Sequence, residues 1–383
     1  MTLRLRSRRW IVVILIATLL VVGCGSRSGS GDGTLDNSDD EGRALASSAA
    51  EGAESGDAVA EPDRPEQLPA TDELQPVGPV YPLTGLPIDP DDDTGERRAA
   101  LVVKVDNHPR ARPQTGLEQA DIVFDVRAEG VTRFAAVYQS QVPDPVGPVR
   151  SSRTSDFDII VGFDRPIYAS SGGNEYVARK LRTLPIVELT NLTRTEYFRD
   201  FSRPAPHNLY VNASDLYALA PDDLTAPAPW FTYRNVAEPT SSDGVAIAGP
   251  VTIDYTGSPT VTHTWDATRM GWLRNQDNNP HTNATGDQLA PENVVIIVTE
   301  YGVSPADPIS PEVRSTGSGP LAVLTDGRAI AGRWERPNAD DKLMLYDDNN
   351  NLIELTPGRT WVLMPELGQV TFPAGSTPPG WTG

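Results

Sequence analysis

Apolar residues first gather at Trp10 to Val22, thirteen positions without a charge, and then stay scarce until Tyr81-Pro82-Leu83-Thr84-Gly85. Beyond that point short apolar runs of strand length recur between Gly, Pro, Asp and Asn. Ala99 to Val105, Asp121 to Arg127 and Phe134 to Tyr138 predict three strands, the last two joined as a hairpin across Glu129-Gly130. Ser151 to Phe163 instead spaces Phe157, Ile160 and Val161 at helical intervals and predicts a helix. Pro166 to Ala169 predicts a strand and Asn174 to Leu181 a second helix. After about Pro239 the pattern becomes one of short strands alone: Val251–Tyr255, Val261–Trp265, Gly271–Arg274, Val294–Thr299, Leu321–Leu324, Ala329–Trp334 and Trp361–Met364. Asp326-Gly327 between two of them is a strong hairpin signal. The pattern predicts an α+β fold, with a mixed α/β N-terminal domain over 81–238 packed with a smaller, mainly β C-terminal domain over 245–370. Ala237 to Gly244, rich in Pro and Ser, is read as the link. No internal repeat is visible.

The first apolar run is too short to cross a bilayer, which takes about 20 residues. Arg4, Arg6, Arg8 and Arg9 precede it, and Val21-Val22-Gly23-Cys24 closes it. A basic start, an apolar core and a small residue before cysteine have the form of a lipoprotein signal over residues 1–23. The reading expects a diacylglyceryl group on the Cys24 thiol, cleavage before it, and an extracytoplasmic chain anchored by lipid to the bacterial cell membrane. Cys24 is the only cysteine, so no internal disulfide can form. Residues 24–80 are Gly-, Ser-, Ala- and Pro-rich and acidic, with too few large apolar side chains to offset their ordering entropy; a disordered tether is expected.

Charge narrows the partners. Loss of residues 1–23 removes four of the 32 basic residues and none of the 52 acidic ones, taking the formal net charge from −20 to −24. Such a surface repels nucleic acid, which is therefore not an expected partner.

Against this acidic background the N-terminal half sets an unusual number of polar residues at predicted strand ends and turns. Asn107, Arg112, Gln114, Glu129, Arg133, Arg150, Arg153, Arg203, His207 and Asn208 are the candidate ligand-binding set, with His108 and Arg110 beside them. Guanidinium forks match carboxylate and phosphate oxygens, so the set points to an anion site; the same residues would also serve as ion pairs tying loops to an acidic body. Ser170-Ser171-Gly172-Gly173-Asn174 lies between a predicted strand and helix, where it reads as a Gly turn with Asn174 as helix cap. Serines and histidines are present, but no Gly-x-Ser-x-Gly or Ser-x-x-Lys pattern joins them, and catalytic residues are not assignable. The carboxylates Asp106, Asp125 and Glu129 are possible acid/base pairs in a chain that offers many accidental ones. The four histidines lack paired ligand spacing, and neither a metal nor a cofactor is expected. The acidic stretches at Asp89 and Asp347 read as solvated turns, and the tryptophans mainly as core.

Pro82-Leu-Thr-Gly-Leu-Pro, Val105-Asp-Asn-His-Pro, Arg112-Pro-Gln-Thr-Gly, Ala120-Asp-Ile-Val-Phe, Glu129-Gly-Val-Thr-Arg-Phe, Gly147-Pro-Val-Arg-Ser-Ser-Arg and Pro206-His-Asn-Leu-Tyr occur in this order. Pro280-His281, Thr285-Gly-Asp-Gln-Leu, Gly317-Ser-Gly, Thr325-Asp-Gly-Arg and Leu355-Thr-Pro-Gly-Arg-Thr-Trp follow. Taken together, these motifs resemble the YerB-like lipoprotein family from about residue 81 to 365. The resemblance implies an envelope lipoprotein of two domains and carries no catalytic residues with it. The combined expectation is a tethered domain that binds an anionic envelope ligand through the Arg/His/Asn cluster. The alternatives are a hydrolase or transferase acting on cell-wall glycan or lipid-linked phosphate, and a scaffold for a protein partner.

Overall fold

Among the described residues, seven strands occupy the first half: β1 (Leu101–Asp106), β2 (Ile122–Arg127), β3 (Thr132–Tyr138), β4 (Ile167–Ala169), β5 (Val187–Glu188), β6 (Tyr197–Arg199) and β7 (Leu209–Val211). The computed structural model describes residues 78–191, 194–235 and 243–383; the signal segment, Cys24 and the tether up to residue 77 lie outside them, as do residues 236–242 of the link. Among the described residues the helices are short: α1 (Phe157–Val161), α2 (Glu175–Leu181) and α3 (Ala213–Ala218). The chain is therefore mostly β with a little α, less helical than the sequence pattern predicts. The helix expected from Ser151 is shortened at its start. Ser152 N–H is taken by Gly172 O at 2.8 Å, and Arg153 N–H by the Asp156 carboxylate at 2.7 Å. Arg153 is thus held extended, and a single 3-10 turn precedes α1. Hydroxyl- and carboxylate-bearing residues offer the backbone such alternatives to a helix. The second helix forms as expected, with the Asn174 side chain accepting Val177 N–H at 3.0 Å.

The second half contributes β8 (Val245–Ala246), β9 (Val251–Asp254), β10 (Thr260–Asp266), β11 (Gly271–Gln276), β12 (Asn279–Pro280), β13 (Asn293–Ile297), β14 (Tyr301–Val303), β15 (Pro311–Val313), β16 (Gly317–Thr325), β17 (Arg328–Arg336), β18 (Met344–Asp347), β19 (Thr360–Leu363) and β20 (Val370–Thr371). Eleven strands form one mixed sheet in the order β18-β17-β16-β13-β19-β2-β3-β1-β4-β5, with β8 alongside β17. β19 runs parallel to β13 on one side and to β2 on the other. The sheet is thus continuous across the change in sequence character near residue 240. A second, antiparallel sheet has the order β12-β11-β10-β9-β20, and β6–β7 and β14–β15 are separate hairpins.

Both faces of the large sheet are covered, which is why its central strands read as continuous apolar runs rather than alternating ones. Leu101, Val103 and Val105 of β1 face a core shared with Val251, Ile253, Val261 and Trp272 of the second sheet. Ala100 and Val102 face the opposite core, with Phe157, Ile160, Trp230 and Leu345. Trp334 and Trp361 are also buried, so four of the tryptophans belong to the interior as expected. Full burial of one such aliphatic or aromatic side chain contributes about 1.5–3 kcal/mol. The one charge in the middle of β1, Lys104, is matched by Asp156 at 2.6 Å.

Candidate functional site

Where β1 ends and β3 begins, antiparallel pairing sets Asp106 opposite Arg133. The β2–β3 turn carries Glu129 over the same end of the sheet. The stretch 149–153 is pinned beside it: Arg150 N–H donates to Lys104 O at 2.7 Å, and Arg150 O accepts Ser171 N–H at 3.0 Å. Below, Tyr168 OH donates to Ser152 Oγ at 2.9 Å and Ser152 Oγ to Ser170 Oγ at 2.8 Å. The β6–β7 hairpin brings His207, and the β14–β15 hairpin brings Asp307, Ile309 and Ser310. With Asp106, Glu129, Arg133, Arg150 and Arg153 they line an open cavity of about 490 Å³.

Glu129 is the electrostatic hub on one side. Its carboxylate accepts from Arg133 Nη2 at 2.9 Å, from Arg153 Nε and Nη2, and from Ser310 Oγ at 2.5 Å. Burial alone would raise its pKa, but the Arg153 hydrogen bond, the Arg133 charge and Ser310 outweigh it and bring the carboxyl down to about 2. Burial and the neighbouring Arg153 lower Arg133 to about 10, against the pull of Glu129. Two of the three arginines are thereby committed to one carboxylate. Arg150 differs: its Nε lies 3.4 Å from Asp106 Oδ2, and among the described residues its terminal nitrogens have no hydrogen-bond acceptor.

Asp106 faces both Arg150 and a histidine. His207 Nδ1 lies 2.7 Å from Asp106 Oδ2, and the carboxylate's other oxygen accepts His108 N–H at 2.9 Å. The two imidazoles stack with centroids 4.2 Å apart. Burial and the adjacent His207 lower the His108 pKa, and its Nδ1 accepts Arg110 N–H at 3.1 Å. A carboxylate on Nδ1 holds His207 with Nε2 free of protein partners among the described residues. This is the arrangement of an oriented acid/base imidazole.

Two family matches cover most of the described chain. Residues 83–226 match the N-terminal domain, and residues 251–362 the C-terminal domain, of the family described as protein of unknown function DUF3048. The chain belongs to the DUF3048 family. It is 31% identical over 305 residues to the Bacillus subtilis (strain 168) protein named "Putative lipoprotein YerB", covering 77% of this chain and 88% of that one. The crystal structure of YerB from Bacillus subtilis superposes with a TM-score of 0.67 at 25% identity, over 77% of this chain and all of that one. The YerB-like resemblance of the sequence motifs is thus met by both sequence and structure.

In this DUF3048 chain the sequence-derived candidates divide into three groups. Glu129, Arg133, Arg150, Arg153 and His207 converge on the cavity. Arg203 and Asn208 tie loops: Arg203 donates to Ala111 O and Pro113 O at 2.8 and 2.9 Å, and Asn208 Oδ1 accepts from Arg199 at 2.7 Å. Asn107 and Gln114 belong to a buried polar cluster between the two sheets. In it Arg274 meets Asp125 at 2.7 Å, Arg274 Nη1 donates to His281 Nδ1, and His281 Nε2 lies 2.8 Å from Gln114 Oε1. Burial, reinforced by Arg274, drives the His281 pKa well down, so the ring is neutral. Arg112 caps this cluster from outside, donating to Asn107 O at 3.1 Å. Asp307, Ser310, Arg274 and Gln276 escape the sequence reading, since nothing in their neighbourhoods links them to motifs 150 or more residues away.

Proposed function

We propose that the chain is an envelope lipoprotein, anchored through lipid on Cys24, whose cavity at the end of β1 and β3 binds an anionic ligand. The likeness to a protein named a lipoprotein supports the anchor. The observation that carries the binding reading is Arg150, a guanidinium lining the cavity whose terminal nitrogens are unclaimed by protein acceptors among the described residues, while Arg133 and Arg153 are taken by Glu129. A guanidinium fork of this kind receives a phosphate or carboxylate oxygen pair. Asp307 and Ser310 close the far wall and the exposed Ile309 adds an apolar lip.

The test is a thermal titration of the full-length chain in detergent with inorganic phosphate and pyrophosphate. A saturable rise in melting temperature that weakens with added salt and disappears in Arg150→Ala is expected. No rise, or one that survives in Arg150→Ala, overturns the reading. A second reading, turnover of the bound ligand, draws support from the 2.7 Å His207–Asp106 contact. Among the described residues no serine is hydrogen-bonded to a histidine, so that chemistry would use His207 as acid/base toward water or a ligand hydroxyl. Loss of turnover with retained binding in His207→Gln is its signature.

A further inference from the structure

Two imidazoles stand at the Arg150 cavity, and their protons are assigned by what they touch. His108 Nδ1 accepts Arg110 N–H at 3.1 Å, so the neutral ring carries its proton on Nε2. Asp106 Oδ2 accepts from His207 Nδ1 at 2.7 Å, so in the neutral His207 ring the lone pair is on Nε2. That atom has no hydrogen-bond partner among the described residues and is not one of the buried, unpartnered atoms, so the cavity that His207 lines reaches it. The same Asp106 oxygen lies 3.4 Å from Arg150 Nε. One carboxylate oxygen thus sets an open imidazole lone pair beside the guanidinium that grips the anion. The other nucleophilic groups of the cavity are engaged. Glu129 is taken by Arg133 and Arg153, Asp307 accepts the Ile309 and Ser310 N–H groups, and Ser310 Oγ lies between these two carboxylates.

We propose that His207 Nε2 is a phosphoryl acceptor, which attacks the phosphorus of a phosphoric anhydride held by Arg150 and becomes a phosphohistidine, rather than a base toward water. This rests on the anion-binding reading of the cavity and gives its ligand a chemical class. In the first step the Nε2 lone pair forms the P–N bond, the bond from phosphorus to the bridging oxygen breaks, and its electrons leave with the departing carboxylate or phosphate. The positive charge this places on the ring is met by Asp106 at Nδ1. Water then attacks phosphorus, the P–N electrons return to Nε2, and inorganic phosphate leaves with the oxygen and protons of the water. An anhydride rather than an ester follows from the lack of a proton donor. Glu129, brought down to about 2 against its burial by the Arg153 hydrogen bond, is ionised, as is Asp307, lowered by the Ser310 N–H. His108, whose pKa burial and His207 lower, is neutral, and a neutral imidazole does not give up its N–H proton. An alkoxide would therefore leave unprotonated, whereas a carboxylate or phosphate leaves as a stable anion.

Acetyl phosphate is the probe, incubated with the full-length chain in detergent and quenched in alkali, where a P–N bond survives. The expected product carries one phosphoryl group by intact mass, loses it in acid and maps to His207. Labelled acetate should exchange into acetyl phosphate by reversal of the first step. His207→Gln is expected to lose adduct and exchange while keeping its stabilisation by inorganic phosphate, which shows that it folds; the mapped position decides the matter if it does not. Arg150→Ala should slow labelling on the order of 100-fold, and His108→Gln should leave the adduct on His207. Phosphate release with neither adduct nor exchange makes His207 a base and overturns the proposal. So does an adduct that persists in His207→Gln, or one cleaved in alkali, the mark of an acyl phosphate. No reaction with acetyl phosphate while inorganic phosphate still stabilises the chain overturns this proposal and leaves the anion site standing; absence of that stabilisation removes both.

Discussion

Glu129 shows how one carboxylate sets the character of a cavity. With its pKa near 2 against an ordinary 4.5, it stabilises the folded state fully above pH 4.5. That contribution is lost as the pH falls from 4.5 through 2, because the unfolded chain takes up the proton first. Allowing for solvent screening of a quarter-exposed side chain, the contribution is about 2 kcal/mol. Glu129→Gln should therefore flatten the stability profile between pH 4.5 and 2, as read from urea midpoints at each pH, while also freeing Arg133 and Arg153 toward the cavity. Arg274 presents the opposite case. It is fully buried, paired with Asp125 and stacked 4.8 Å over Trp361. Arg274→Met leaves Asp125 an uncompensated buried charge and should cost about 3–5 kcal/mol in urea unfolding. Sequence alone did not separate the cavity arginines on Glu129 from Arg274. All are arginines paired with a carboxylate, and only burial and solvent access distinguish them.

Among the elements, the hairpin between β16 and β17 was the most legible, while β6–β7 and β14–β15 were not foreseen. Asp326 and Gly327 both take positive φ, 48° and 73°, between β16 and β17, as an Asp-Gly turn requires. Gly327 is doubly constrained, because an added Cβ would lie 2.7 Å from Trp265 Nε1. Gly327→Ala is expected to cost about 1–2 kcal/mol from the backbone alone, with a further loss from displacing Trp265; the drop in melting temperature, together with a change in tryptophan emission, checks it. The helix predicted from Ser151 illustrates the limit of periodicity. Phe157, Ile160 and Val161 carry the helical spacing, yet the preceding residues are recruited by Gly172 and Asp156. That recruitment places Arg150 and Arg153 on an extended segment facing the cavity.

At the scale of the molecule, β19 decides how the halves depend on each other. It lies between β13 and β2, so a chain ending at residue 235 would remove β19 and leave β2, paired only with β3, with an open apolar edge. Such a fragment is expected to aggregate or remain unfolded, and the full chain to lose secondary structure and tryptophan environment in one coincident urea transition. Two separated transitions, or a soluble folded fragment, would contradict this.

The positions of the longer strands, the Asp-Gly hairpin, the Asn174 cap and the family were determined by sequence alone, because local apolar runs, turn residues and motif order are properties of neighbours along the chain; the short strands β5 to β8, β12, β14, β15, β18 and β20 were not. The expectation of polar residues gathered at strand ends, five of which meet in one cavity, came from sequence as well. The insertion of β19 beside β2, the delivery of Ser310 to Glu129 and of Asp307 to the same cavity, and the placing of Arg112 and Gln276 around one cavity were decided only by tertiary structure. Each joins residues about 150 or more positions apart, where no local propensity acts and only packing of the two sheet faces selects the contact.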